Sequence, residues 1–146
     1  DKALVKAYSD DFFAEIVYKK KTMPHAVEAL EYLSSKYNLY ILSNGFRELQ
    51  EQKMRSAGVD KYFKKVVLSE DIGVHKPFPE IFYFAMSATQ SELHTSLMIG
   101  DNWENDIAGA KDAGLGQVFY NVKKTTKFSF QPTGIIEDWN EIGKIL

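Results

Sequence analysis

Four short apolar runs constrain the fold of this 146-residue chain more than any other feature: Leu39-Tyr40-Ile41-Leu42, Val66-Val67-Leu68, Leu97-Met98-Ile99 and Val118-Phe119-Tyr120. They are continuous rather than alternating, the pattern of strands buried on both faces, as in a parallel sheet. Helical patterns lie between them. Ala26, Leu30 and Leu33 recur at i, i+4 and i+7, with Pro24 suited to a first-turn position. Phe46 to Ala57 reads as a weaker helix closed by Gly58. Ile81, Phe82, Ala85 and Met86 form the next stripe, entered through Pro79. Trp103, Ile107 and Ala110 form another, stopped by Gly114 where a left-handed cap would sit. Asp138 to Leu146 predicts a short closing helix. Strands alternating with helices specify βαβ units, hence an α/β fold with a parallel sheet in a three-layer arrangement.

The first twenty residues differ. Leu4, Tyr8, Phe12 and Ile16 fall at i, i+4 spacing, flanked by Val5, Phe13 and Val17, and the basic turn Lys19-Lys20-Lys21 follows. This predicts an amphipathic helix appended to the sheet rather than part of it.

Composition narrows the partners. With 45% hydrophobic and 26% charged residues the chain has an ordinary globular balance, enough for one domain with a core. A net charge of −2 gives no footprint for a nucleic acid polymer or an anionic membrane. Lys123, Lys124 and Lys127 form a small basic cluster that reads as a solvated loop. The absence of cysteine excludes disulfides and thiolate metal sites and fits a cytoplasmic location. No apolar run approaches bilayer-spanning length, and the start of the chain shows no signal-peptide pattern.

Candidate chemistry gathers just past the apolar runs. Leu97-Met98-Ile99 leads into Gly100 and Asp101, and Asp106 follows five positions later. A strand ending in a carboxylate delivers it to the carboxyl edge of the sheet, where ligands bind in open α/β folds. Mg²⁺ takes oxygen ligands and commonly only one or two protein carboxylates, leaving the rest to water and phosphate. The alternative is a turn acid at position 101 and a first-turn helix acid at position 106. Ser43 and Asn44 follow the first run, with Gly45 permitting a tight turn. A hydroxyl and backbone N–H groups there suit a phosphate oxygen, and equally a helix N-cap. Lys76 lies in Gly73-Val74-His75-Lys76-Pro77-Phe78-Pro79, a segment stiffened by two prolines. It is either a solvated surface lysine or a fixed cation of the kind phosphoryl transfer requires. His75 has no partner acid placed for it by the sequence and reads as structural or substrate-adjacent.

The order strand-Ser-Asn-Gly, loop Lys-Pro, strand-Gly-Asp-x-x-x-x-Asp resembles the haloacid dehalogenase superfamily of hydrolases. The resemblance runs from about Met23 to Tyr120. It includes Pro24-His25-Ala26, Ala57-Gly58 with Tyr62-Phe63, Ser69-Glu70, and Pro79-x-Ile81-Phe82. The Asn-Gly-Phe turn and the Glu-x-x-Gly-Val-x-Lys-Pro run are most similar to nucleotidase-like phosphatases with a helical cap. The resemblance implies a Rossmann-like core over residues 22–146 and a cap remnant over residues 1–21. It implies that Ser43 hydrogen-bonds the transferring phosphoryl group and that Lys76 neutralises its charge. Asn44 and Gly45 would contact substrate, Asp101 would bind Mg²⁺, and Asp106 would orient Lys76 and the metal's water shell.

In that family an aspartate forms an aspartyl-phosphate, and a second aspartate two positions on serves as acid and base. No Asp-x-Asp pair occurs in this sequence. Asp10 and Asp11 are adjacent, and neighbouring side chains on a strand point to opposite faces. The expectation is therefore the C-terminal portion of a longer enzyme, inactive alone. Its core would lack the first strand, which in the family lies between the strands ending at Ser43 and Asp101. Such a sheet needs a substitute strand or an association partner. The expected activity is Mg²⁺-dependent hydrolysis of a small phosphorylated metabolite, a nucleoside monophosphate being one such substrate. The alternatives are a phosphomutase, a 2-haloacid dehalogenase, or a non-catalytic phosphate-binding domain. A response-regulator-like receiver would need an acidic cluster near its start, which Asp10-Asp11 fits poorly.

Overall fold

The computed structural model describes Ala3, Glu15 and residues 20–146. The amphipathic helix expected from Leu4 to Ile16, the pair Asp10-Asp11 and most of the expected cap remnant lie outside the described residues. The elements run α1 (Ala26–Lys36), β1 (Tyr40–Ser43), α2 (Arg47–Ala57), β2 (Lys65–Leu68), α3 (Pro79–Thr89) and β3 (Leu97–Gly100). A π-helical turn over Trp103–Ala108 leads into α4 (Gly109–Ala113), then β4 (Gly116–Tyr120) and β5 (Gly134–Ile136). The short closing helix expected over Asp138 to Leu146 is a 3-10 helix over Trp139–Lys144. Each of the four apolar runs forms a strand, and all strand pairing is parallel.

The pairing divides into two sheets, β1-β2 and β3-β4-β5. Tyr40 pairs with Lys65 at the start of the first and Leu97 with Gly116 at the start of the second. Strand β5 was not read from the sequence, because its three residues are too few for a periodicity.

Two apolar clusters cover the two faces. On one, Ala29 and Leu33 of α1 meet Val118, Tyr120, Ile136 and Ile142, with Leu39, Leu97 and Ile99 packed alongside. On the other, Ile81 and Phe82 of α3 meet Ala110, Ala113 and Leu115, with Leu42 and Met98 alongside. Successive residues of β3 thus serve opposite faces, the period of two that strand geometry imposes. Helices lie on both faces, so the three-layer α/β architecture stands.

Three details depart from the sequence reading. The buried face of α1 is Ala29 and Leu33, while Ala26 and Leu30 are only half-buried. That helix starts after a left-handed His25, so Pro24 precedes its first turn. Burial on both faces holds for the last residues of β2 and for β4, but every residue of β1 and β3 is half-buried. Among the described residues β1 and β3 are edge strands of their sheets, as β2 and β5 are, yet the last residues of β2 and Ile136 of β5 are buried.

Candidate active site

The parallel strands point their carboxyl ends the same way, and the loops that follow them carry the candidate residues. Ser43 closes β1, half-buried, and its Oγ accepts a hydrogen bond from the Gly45 N–H at 3.0 Å. A hydroxyl that accepts in this way keeps its own proton to donate. Neither Ser43 nor Asn44 is a helix N-cap: that position belongs to Phe46, which makes no side-chain cap. The N–H of Arg47 is instead met by Glu70 Oε1 at 3.1 Å. The loop after β2 therefore tethers the start of α2, with Arg47 bonded to Asp71 at 2.6 Å.

Lys76 is held at both ends. Its Nζ donates to Leu42 O at 3.0 Å and to Asp106 Oδ1 at 2.6 Å. Its side chain is 10% exposed and that of Asp106 is 7%. It is thus not a solvated surface lysine. An ammonium carries three protons, so two are committed and one remains. At the backbone, Lys76 N–H donates to Asn44 Oδ1 at 2.8 Å and Lys76 C=O accepts from Asn44 Nδ2 at 3.1 Å. The Lys76-Pro77 peptide is cis.

Asp106 has a partner on each carboxylate oxygen. Its Oδ2 accepts the Asn102 N–H at 3.1 Å, which satisfies a donor at the start of the π-helical turn. Its Oδ1 faces Lys76. Two glycines make this geometry possible. A Cβ on Gly100 would stand 2.3 Å from Asp106 Oδ2, so only glycine lets β3 pass that close to the carboxylate. A Cβ on Gly109 would stand 2.9 Å from both Cα and O of Pro77, so helix and lysine loop meet backbone to backbone.

Asp101 is exposed immediately past β3. The tyrosine closing the next strand, Tyr120, is pushed above its ordinary pKa by burial, and the charges of Asp138 and Asp101 add to the shift. Just beyond Asp101, Trp103 packs against Phe119, Phe128 and Phe130 with ring centroids 4.9 to 5.2 Å apart. The sequence stripe had caught Trp103 but not Phe128 or Phe130. Asn121, buried at the end of β4, was also missed; its amide grips the backbone N–H and C=O of Thr125.

The arrangement brings Lys76 and Asp106 into contact and ties Asn44 to the lysine backbone. Ser43 adjoins Leu42, whose carbonyl takes the ammonium. His75 and the lysines at 123, 124 and 127 are exposed. Among the described residues no three acids or histidines cluster as a ready metal cage. The donor set suits an ion that needs little from the protein: Asp106 is occupied by Lys76 and Asn102, while the exposed Asp101 carboxylate past β3 is an oxygen donor of the kind Mg²⁺ takes. A cavity of about 610 Å³ opens elsewhere, lined by Arg47, Phe63, Val67 and Phe84, and includes none of Ser43, Lys76 and Asp101. Among the described residues no helix is long and apolar enough to cross a membrane.

A family model described as haloacid dehalogenase-like hydrolase matches residues 1–114. The chain is 35% identical over 118 residues to pyrimidine 5′-nucleotidase YjjG of Escherichia coli, covering 80% of this chain and 51% of that protein. It is 32% identical over 106 residues to glyceraldehyde 3-phosphate phosphatase of Methanothermobacter thermautotrophicus, covering 72% and 47%. The solved structure of the HAD-hydrolase YfnB of Bacillus subtilis, bound to magnesium, superposes with a TM-score of 0.86 at 27% identity, covering 98% of this chain and 67% of that one. The chain spans about half the length of the curated relatives it matches.

Proposed function

Because this chain belongs to the haloacid dehalogenase-like hydrolases, we propose that it forms the phosphate- and cation-binding part of a magnesium-dependent phosphomonoester hydrolase. The observation that carries the reading is the Lys76 ammonium, nine-tenths buried between Leu42 O and Asp106 and beside Ser43. In phosphoryl transfer negative charge spreads over the phosphoryl oxygens, and a cation already fixed at that place stabilises it without reorganising. The remaining proton of Lys76 and the Ser43 hydroxyl bind two of those oxygens. The Gly45 N–H, bonded to Ser43 Oγ, orients that hydroxyl. Asp106 keeps the ammonium in place. Asp101 holds magnesium, which when bound draws charge from the phosphate.

The nucleophile comes from outside this sequence, on a strand that enters between β1 and β3, from the same polypeptide or an associated one. An aspartate oxygen bonds to phosphorus as the ester oxygen leaves, taking a proton from the second aspartate. Water then attacks phosphorus, gives its proton to that aspartate, and frees phosphate and the carboxylate. Small monoesters suit the family's relatives, which include a pyrimidine nucleotidase and a phosphoserine phosphatase. A nucleoside monophosphate in a cytoplasmic setting is the substrate we favour.

Phosphate release from UMP, phosphoserine and glyceraldehyde 3-phosphate tests the reading. The enzyme with its sheet complete should hydrolyse at least one with Mg²⁺, Asp101→Asn should remove that dependence, and this chain alone should release nothing. Turnover by the isolated chain that disappears in Asp101→Asn would refute the need for an added strand.

A further inference from the structure

Asn44 stands where a substrate-binding side chain is expected, one residue past Ser43 at the end of β1. Its amide is turned elsewhere. Oδ1 accepts the Lys76 N–H at 2.8 Å and Nδ2 donates to the Lys76 carbonyl at 3.1 Å, a two-point grip on a residue 32 positions away. An amide has one acceptor group and two N–H donors, so this grip engages both ends of the side chain.

The grip falls on the residue whose position matters. A lysine reaches its ammonium through a flexible four-carbon stem, so the place of Nζ depends on where the main chain starts as well as on what Nζ touches. Leu42 O and Asp106 fix the far end of that stem and Asn44 fixes the near end. The carbonyl at the far end and the amide at the near end come from residues 42 and 44 of the same strand-and-turn, on either side of Ser43. The serine hydroxyl and the lysine ammonium are therefore registered to one another through β1.

We propose that Asn44 is a positioning residue, acting on the phosphoryl group through Lys76 rather than by binding substrate with its own side chain. The proposal rests on the phosphatase reading above. Removing the amide frees the lysine backbone while leaving Nζ its partners, so the ammonium wanders from the place it must occupy in the transition state. Misplacement by about 1 Å is enough to cost on the order of 100-fold in rate.

The test is a double-mutant cycle in the complete enzyme with Asn44→Ala, Lys76→Ala and the pair, read as kcat and KM for a phosphate monoester. Amide hydrogen exchange at residue 76 is read alongside. Asn44→Ala should lower kcat roughly 10- to 100-fold, leave KM within a few-fold, and speed exchange of the Lys76 N–H. The pair should be no slower than Lys76→Ala alone, because a positioner has nothing left to position. Losses that multiply, or a rise in KM carrying the whole effect, would show Asn44 binding substrate directly and overturn the proposal. Unchanged exchange at residue 76 would do the same. Should Asn44→Ala misfold, Asn44→Asp retains the acceptor for the Lys76 N–H, and that amide should stay protected. Full turnover in Lys76→Ala would instead defeat the phosphatase reading itself.

Discussion

In most sheets the strands in the middle are the most buried. Here the two strands that flank the division, β1 and β3, are half-buried at every residue, while Val67 and Leu68 of β2 and Val118, Phe119 and Tyr120 of β4 are buried. Ile41 of β1 and Ile136 of β5 show the contrast with a single residue type. Ile136 is 1% exposed beneath Ala29, Leu33 and Ile142, whereas Ile41 is half-buried and belongs to neither apolar cluster. Pairing alone does not make this difference, since β2 and β5 also have a single partner among the described strands. Besides the apolar clusters they share, the two sheets are joined at their carboxyl ends by a polar contact, Lys76 between Leu42 O and Asp106.

If the two halves are joined there by charge rather than by apolar burial, Asp106→Ala should be the most damaging change. It leaves a nearly buried ammonium unpaired, a loss of about 3–5 kcal/mol in urea unfolding. A loss below about 1 kcal/mol would break the comparison, since it would mean the seam holds without its ion pair. Matched truncations sharpen it next. Ile136→Ala should cost about 2–5 kcal/mol, as in a packed core, and Ile41→Ala on the order of 1–2. Equal costs would mean the strands beside the seam are as well covered as those away from it.

The smallest effect is the acid response, which should touch both halves alike. The Leu68 N–H and then Arg47 hold the Asp71 carboxyl below the usual carboxylate range, beside β2. On the other side the Asn140 N–H and then His25 do the same for Asp138. A carboxyl whose folded pKa is depressed stabilises the fold above its unfolded value, and that contribution disappears as pH falls through the folded one. Melting temperature should therefore decline below about pH 4, and Asp71→Asn or Asp138→Asn should each flatten the decline. A decline of unchanged steepness in both variants would assign the acid sensitivity to other groups.

The sequence showed the strands and the loops after them because each announces itself locally. An apolar run followed by Ser-Asn-Gly or Gly-Asp needs no distant partner to be recognised, so the turns at Ser43 and Asp101 were legible as candidates. The burial of β1 and β3 was misread because it depends on what covers each strand, and a continuous apolar run looks the same whether or not it is covered. The grip of Asn44 on Lys76 was illegible for a related reason: it joins a side chain to a backbone 32 positions away, and nothing in Lys76's identity reveals it. Asn121 and Thr125 are only four apart, but a buried asparagine after a strand reads as an ordinary turn. The π-helical turn over Trp103–Ala108 preserved enough of the apolar stripe to pass for α-helix.

The close approach of Gly109 to Pro77 ties two parts of this protein to one another. With main chain resting on main chain, the helix after Asp106 and the loop of Lys76 have no side chains between them to yield. Asn44 couples that loop to the end of β1. Lys76 and Asp106 accordingly share one support, and the strand that ends in Ser43 is fastened to it from the other side.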